Sequence, residues 1–599
     1  MEPNYICTGN EMISLPCIDT KDASILDFTM LHMGYKGLLD VRGSNDCPLL
    51  RPFLLVDGET VLMEPSRFAF ETYWIPVFEG EERGISYRGE ILAPIEERGF
   101  SYPLMVKNNS DASHQITLGF EGSWSQTFHS INEDKEIKGD CHVYESAWNQ
   151  SLVFDLRLGV SVFAFAPIFS EEMKHSYRKG VDGIAYRFET TFNLPAGEEK
   201  SLTSFWGVGM EEVAATTSAK EMLRAGYQRI KDKTVAWLAE RCLPLSEDAL
   251  CEIFQRNLFF NFFYASGRTM DTEELVLVTS RSPRYYVSAA YWDRDSLLWS
   301  FPSILLADAA YAKEMLQYVF TRQRRNFGVH SRYIDGTVLE PGFELDELCA
   351  PVIALANYVE HTKDTGILEN EEIKEGIALI LGRLAKKKHP DVALYETFLQ
   401  PTDDMHVYPY LTYDNVLVWY VLQKIASLYK AQWEPEKIKA LHQQAEAVRD
   451  AIAAHCVKEY QGKPIYAWSV DLEGNWDVYD EPPGSLQLLP FYGFSKEEDP
   501  IYQNTVAVIR SPEYPYSFAN SPIAEIGCPH APHPWVLSVA NSLLCKRIES
   551  SRAILLQLKM DHGVACESVD EVTGESTTGD AFATCAGFLS YAIYQAFKK

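Results

Sequence analysis

The chain has 599 residues, of which 46% are hydrophobic and 13% aromatic, enough for packed cores and too much for a disordered chain. A formal charge of −30 argues against a nucleic-acid partner, which needs clustered Lys and Arg, and against an anionic membrane surface. At this length two domains are expected, acting on a neutral or weakly charged ligand.

The start, Met1-Glu2-Pro3-Asn4-Tyr5, lacks a basic segment leading into an apolar one, so no signal peptide is expected. No apolar run reaches the roughly 18–20 residues that span a bilayer. The twelve cysteines are scattered, without a CxxC pair, which reads as reduced thiols in a cytoplasmic protein.

Residues 1–212 read as an antiparallel β-sandwich. Strand-length runs at 115–120, 160–165, 186–192 and 202–208 are separated by turns such as Leu194-Pro195-Ala196-Gly197. No acidic pair and no metal-ligand spacing stand out there, so a structural or accessory role is expected. Residues 213–245 read as a helical linker, punctuated by Gly226. Ser246 is placed as the N-cap of a helix over 248–264. Further helices are expected over 294–306, 308–322, 346–362, 371–387, 414–430, 435–457, 534–549 and 580–597. Val418, Val421, Leu422, Ile425 and Tyr429 form an i, i+3, i+4, i+7 stripe, and Pro435 suits a first helical position. Helical hairpins over 246–599, with no fixed repeat to support a solenoid, predict an (α/α)6 toroid of the six-hairpin type.

Candidate chemistry collects in the polar breaks between these helices. Trp292-Asp293-Arg294-Asp295-Ser296 joins an indole, a guanidinium and two carboxylates. An N-cap accounts for one Asp, whereas an Arg–Asp pair suits gripping vicinal hydroxyls. Phe343-Glu344-Leu345-Asp346-Glu347 is a second acidic helix start, with Asp346 its expected ligand contact. Pro401-Thr402-Asp403-Asp404 is followed by Tyr408, Tyr410 and Tyr413, and an apolar aromatic setting raises a carboxyl toward general-acid range. Cys528, His530 and His533 lie close together but without structural-zinc spacing, so this segment reads as a pocket-lining loop and no metal or cofactor is expected. Glu567 lies in a Gly-containing loop before the final helix. Asp295, Asp403 and Glu567 together supply the carboxyl groups that glycosidic bond cleavage requires.

At these residues the chain resembles the inverting (α/α)6-barrel glycosidases of the glucoamylase-like clan, most closely glycoside hydrolase family 125. Trp292-Asp293-Arg294-Asp295-Ser296 is similar to that family's Trp-x-Arg-Asp-Ser, and Glu344-Leu345-Asp346-Glu347-Leu348-Cys349 to its Glu-Ile-Asp-Ser-Leu-Cys. Pro401-Thr402-Asp403-Asp404 is similar to its Pro-Ser-Asp-Asp, and Ile526-Gly527-Cys528-Pro529-His530 to its Ile-Gly-Ser-Pro-His. The resemblance implies a metal-independent exo-α-mannosidase, notably on α-1,6 linkages. Asp403 would be the general acid and Glu567 the base. Trp292, Arg294, Asp295, Asp346, Asp404, Tyr413 and His530 would bind an oligosaccharide substrate. Cys566 and Ser568 stand where the family's base has His and Gly, and Gly579 to Thr584 where it has an aromatic-rich stretch. An α-glucosidase of glucoamylase type, a phosphorylase of the clan and a catalytically lapsed carbohydrate-binding protein are the alternatives. The oligomeric state stays open.

Overall fold

The computed structural model describes residues 4–44, 47–181 and 183–599. Residues 1–3, on which the reading of the chain start rests, lie outside these. The described chain forms two compact units. The first is Met1–Cys242 with Ser266–Val276 and Arg281–Ala289; the second is Leu243–Ala265, Leu277–Ser280 and Ala290–Lys599. Two short segments beyond residue 245 thus group with the N-terminal unit, a feature that the change of hydrophobic period does not reveal.

Among the described residues, three antiparallel sheets of six, eight and five strands build the first unit. Each expected strand is present and longer than its apolar run: His114–Trp124, Val160–Phe169, Gly183–Leu194 and Glu199–Gly209. The eight- and five-stranded sheets pack face to face in the manner of a sandwich. Tyr102 meets Phe120 at 5.1 Å, Phe165 meets Trp124 at 5.4 Å and Phe154 meets Tyr186 at 4.7 Å between ring centroids. Buried aromatics of this size each contribute about 1.5–3 kcal/mol by area alone.

An acidic pair does exist in this unit. Asp27 and Asp40, both buried, lie on the paired strands Asp27–His32 and Gly37–Arg42. Antiparallel pairing sets Asp27 opposite Arg42 and Asp40 opposite Thr29, an adjacency that local spacing does not display. The linker region folds as two helices, Glu212–Ala225 and Tyr227–Arg241, broken at Gly226 with φ +84°.

In the second unit the last helix, Ala583–Phe597, packs on the first, Cys251–Tyr264, and on Val536–Leu544. Ser246 does not cap its helix: its hydroxyl donates to the Phe597 carbonyl at 2.8 Å. The helix expected over 534–549 ends at Leu544 and resumes at Ile548, because Lys546 adopts φ +62°. No helix among the described residues is long and apolar enough to cross a membrane.

Candidate active site

The Trp292–Ser296 motif enters a wide π-helical turn, Arg294–Ser300, a form enriched at functional sites. Neither Asp of the motif caps it. The cap comes instead from Glu347, at the start of helix Leu345–Thr362, whose Oε1 accepts from the Arg294 backbone N–H at 3.0 Å and whose Oε2 accepts from that of Asp293. Asp293 turns inward, accepting from Tyr291 Oη at 2.6 Å and pairing with buried Arg332.

Arg294 is only 1% exposed and organises the site. Its Nε donates to Asp346 Oδ2 at 2.9 Å, its Nη1 to Asp403 Oδ1 at 2.9 Å, and its Nη2 to Glu344. Glu347 Oε1 stands 3.4 Å from Nη2. Four carboxyl groups therefore converge on one guanidinium. The expectation that Arg294 grips sugar hydroxyls needs correction, since its donors already point at protein acids. Asp346 is buried too, its second oxygen accepting from the Glu347 N–H at 2.8 Å.

Arg294 and His330 together cannot neutralise the four acids, three of them buried, and desolvation disfavours each uncompensated charge. Glu344 keeps its charge, held below the ordinary value by Arg294 and His330 despite burial. Asp403 does not: burial, with the charges of Glu344 and Asp295, pushes its carboxyl up to about 8 against the pull of Arg294. Asp295, accepting from Thr584 Oγ1 at 3.0 Å, is pushed up by burial to about 7. The result is a protonated carboxyl at neutral pH on a side chain that stays 36% exposed.

Asp403 sits at the tip of a closed turn with φ +67°, a strained region for any residue with a Cβ. The Gln400 carbonyl accepts from the Asp403 N–H at 2.8 Å, while the Gln400 N–H donates to the Asp404 carbonyl at 3.0 Å. Asp404 accepts from His530 Nδ1 at 3.1 Å. That bond, with the charges of Glu567 and Asp403, pushes His530 up to about 9. His530 is thus a protonated group within electrostatic reach of both proposed catalytic acids.

Glu567 is buried, and its Oε1 accepts from Thr578 Oγ1 at 3.1 Å. The Val536 N–H donates to the Glu567 carbonyl at 3.0 Å, tying the Glu567 segment to the chain that follows His530. Trp292, also buried, stands edge-on to His330 at 5.5 Å, and its Nε1 has no acceptor among the described residues. Tyr413, expected as a wall of the sugar site, is 1% exposed and makes a 3.3 Å hydroxyl contact with Tyr492. It sits close beneath Gly484, where an added Cβ would fall 2.4 Å from Pro401 Cγ and 2.9 Å from Tyr413 Cδ1. Its ring packs beneath the acid loop.

Sequence reasoning missed His330, Gln400 and Glu481. His330 bonds Glu344 through Nδ1 and lies 3.6 Å from Asp403 Oδ1; the Glu344 bond and the Asp403 charge push it up to about 9 although burial opposes this. His330, Glu344 and Asp403 offer one ligand atom each, all within 4.8 Å of one another, a grouping that could hold a cation. The Arg294 guanidinium already supplies positive charge to its two carboxylates. The histidines of the 528–533 loop separate, with His533 pairing with Glu571 at 3.1 Å.

Residues 385–594, which include Asp403 and Glu567, match the family model described as metal-independent alpha-mannosidase (GH125). A Streptococcus pneumoniae metal-independent α-mannosidase, solved with α-1,6-mannobiose in a non-productive complex, superposes on 58% of this chain and 94% of its own, with TM-score 0.51 and 18% identity. A bacterial glucoamylase complexed with acarbose covers 100% of this chain and 94% of its own, at TM-score 0.64 and 12% identity. A putative kojibiose phosphorylase from the human microbiome covers 99% and 86%, at TM-score 0.61 and 11% identity. At these identities the three show a shared fold. The Meiotically up-regulated gene 157 protein of Schizosaccharomyces pombe (strain 972 / ATCC 24843) is 27% identical over 198 residues, 31% of this chain. The chain spans 39% of that relative's length.

Proposed function

We propose that the protein is an inverting, metal-independent exo-glycosidase acting on α-linked mannosides, α-1,6 linkages included, within an (α/α)6 toroid. The observation that carries this reading is Asp403, an accessible carboxyl pushed up to about 8 beside a guanidinium already shared among acids. It can protonate a glycosidic oxygen at neutral pH. Glu567 takes the proton from a water attacking the opposite face of the sugar, which calls for carboxyl groups roughly 6.5–9.5 Å apart. Asp404, His530, Asp295 and the indole N–H of Trp292 are the groups offered to sugar hydroxyls. Arg294 and Asp346 shape the acid from behind. The helix closure of Ala583–Phe597 onto Cys251–Tyr264 supports the toroid. The twelve free cysteines fit a cytoplasmic protein.

An α-glucosidase reading has its own support, because the glucoamylase covers the whole chain whereas the mannosidase covers 58%. The cations Arg294, His330 and His530 are all bonded to carboxylates, which favours water over phosphate as the acceptor. One experiment tests these readings together. Aryl α-mannosides, α-glucosides and unactivated α-linked disaccharides are incubated with EDTA, with and without phosphate, and product anomers are followed by proton NMR. Release of inverted mannose without phosphate is expected. Release of glucose moves the substrate to the second reading; a retained anomer, or turnover only with phosphate, sinks the mechanism.

A further inference from the structure

Glu481 lies 78 positions beyond Asp403 and belongs to no motif that the sequence brings forward, yet its carboxyl group holds the loop of Asp403. The side chain is fully buried. Its Oε1 accepts from the Thr402 backbone N–H at 2.9 Å, and its Oε2 accepts from Thr402 Oγ1 at 3.0 Å and from Tyr479 Oη at 3.1 Å. Thr402 directly precedes Asp403, so this bidentate grip fixes the peptide from which the left-handed residue departs. A backbone at positive φ on a non-Gly residue persists only where the surroundings over-determine it. Further restraints are the Gln400–Asp403 and Gln400–Asp404 backbone bonds, which close the turn upon itself, and the bond that Gln400 Nε2 donates to Thr402 Oγ1 at 3.2 Å. Gln400 is steadied in turn by Trp468 Nε1, which donates to its Oε1 at 3.3 Å.

The Glu481 side is anchored independently. Asp480 accepts from Ser485 Oγ at 2.6 Å and from the Leu486 N–H at 2.7 Å, and its own N–H donates to Tyr514 Oη at 2.9 Å. The Tyr514 hydroxyl donates back to the Asp480 carbonyl at 3.0 Å. A rigid segment thus carries a carboxyl group whose bonds run to Thr402 and to its own neighbour Tyr479. Burying a carboxyl group this deeply is unfavourable unless its hydrogen bonds are met, and here they are met by the peptide that aims the general acid.

We propose that Glu481 is a positioning residue for the general acid: it sets the orientation of Asp403 and hence proton delivery to the leaving oxygen. This rests on the reading of Asp403 as the acid. The distinguishing property of such a residue is leaving-group dependence. A disaccharide needs its leaving oxygen protonated, whereas fluoride leaves an α-glycosyl fluoride without a full proton. A merely structural defect lowers turnover of both substrates alike.

The test compares kcat/KM for the α-linked disaccharide and the α-glycosyl fluoride of the sugar identified above, in wild type, Glu481→Gln, Thr402→Val and Asp403→Asn. Gln keeps one acceptor but cannot receive both Thr402 donors. Its disaccharide-to-fluoride ratio is expected to fall about tenfold or more, in line with the sensitivity of catalysis to ångström-scale misplacement. Thr402→Val removes the hydroxyl, which donates to Glu481 and accepts from Gln400 Nε2 at 3.2 Å, and keeps the peptide N–H, so it should fold and show a smaller shift in the same direction. If Glu481→Gln is insoluble, the ratio in Thr402→Val decides. An unchanged ratio in both, with the ratio in Asp403→Asn falling by about 100-fold or more, overturns the role of Glu481 alone. An unchanged ratio in Asp403→Asn overturns the underlying assignment of the acid instead.

Discussion

Each unit of this protein buries carboxylates beside an arginine, and the outcomes differ. In the N-terminal unit, Arg42 reaches Asp40 and, at 2.7 Å, Asp134, its side chain 30% exposed at the end of a strand. Asp40 and Asp27 are fixed on a rigid hairpin, and burial pushes Asp27 up to about 6. In the C-terminal unit Arg294 is wholly enclosed, shared by four carboxyl groups, and one of the four rides on a strained loop that opens outward. A raised carboxyl pKa is therefore no sign of catalysis by itself. Excess acid, a loop mounting and partial access are what separate Asp403 from Asp27.

The largest contrast is expected from Asp403→Asn, which should lower kcat/KM on unactivated glycosides by about 10²–10⁴-fold, the usual contribution of a general acid. Asp40→Asn should leave steady-state turnover where it was; a comparable loss there would break the contrast between the units. The arginines sharpen it through stability. Arg294→Met strips a buried charge network of its cation and is expected to cost about 3–5 kcal/mol, read as a lower midpoint in thermal or urea unfolding. Arg42→Met, at a partly solvated site, should shift that midpoint distinctly less.

Acidity gives a third measure. With Asp403 at about 8, kcat/KM for the disaccharide should decline as pH rises through about 8, where the acid loses its proton. The same limb should weaken for the α-glycosyl fluoride, and a limb equal in both substrates would remove Asp403 from its role. The smallest effect belongs to Asp27. Its folded-state pKa of about 6 lies above the ordinary 3.8, so the folded protein holds the extra proton and stability falls as pH rises from about 4 to about 6. Asp27→Asn should flatten that slope when melting midpoints at pH 4.5 and pH 6.5 are compared, by about 2 kcal/mol at most.

Much of this was legible in the residues. Alternation marks Gly183–Leu194 as a strand, Pro435 starts its helix, and Pro401-Thr402-Asp403-Asp404 stands out as an acidic turn beside aromatic residues. What stayed hidden depends on pairing across distance. Asp27 and Asp40 meet only through hairpin register, and the cap of the Arg294 turn comes from Glu347 on another helix. His330 lies in a short strand, Val329–Arg332, with nothing local to show that Glu344 will face it. Tyr413 misled because a tyrosine near an acid loop reads the same whether its ring faces a sugar or, as here, lies beneath Gly484. Trp292, Arg294 and Asp346 were expected to contact a sugar, whereas Arg294 and Asp346 are buried and bonded to each other.

The two segments that rejoin the N-terminal unit bear on how the chain can be made and cut. Arg281 Nη1 donates to the Asn10 carbonyl at 2.7 Å, Thr29 Oγ1 donates to the Arg281 carbonyl at 2.9 Å, and Asp271 accepts from the Met33 and Gly34 N–H groups. A ribosome that has released only the first 245 residues has not yet supplied these partners, so the sheets emerge early and reach their final bonding only after about 290 residues. A fragment ended at the apparent boundary would carry open polar sites at Asn10, Thr29 and Met33, and a self-sufficient N-terminal piece would need 266–289 grafted back.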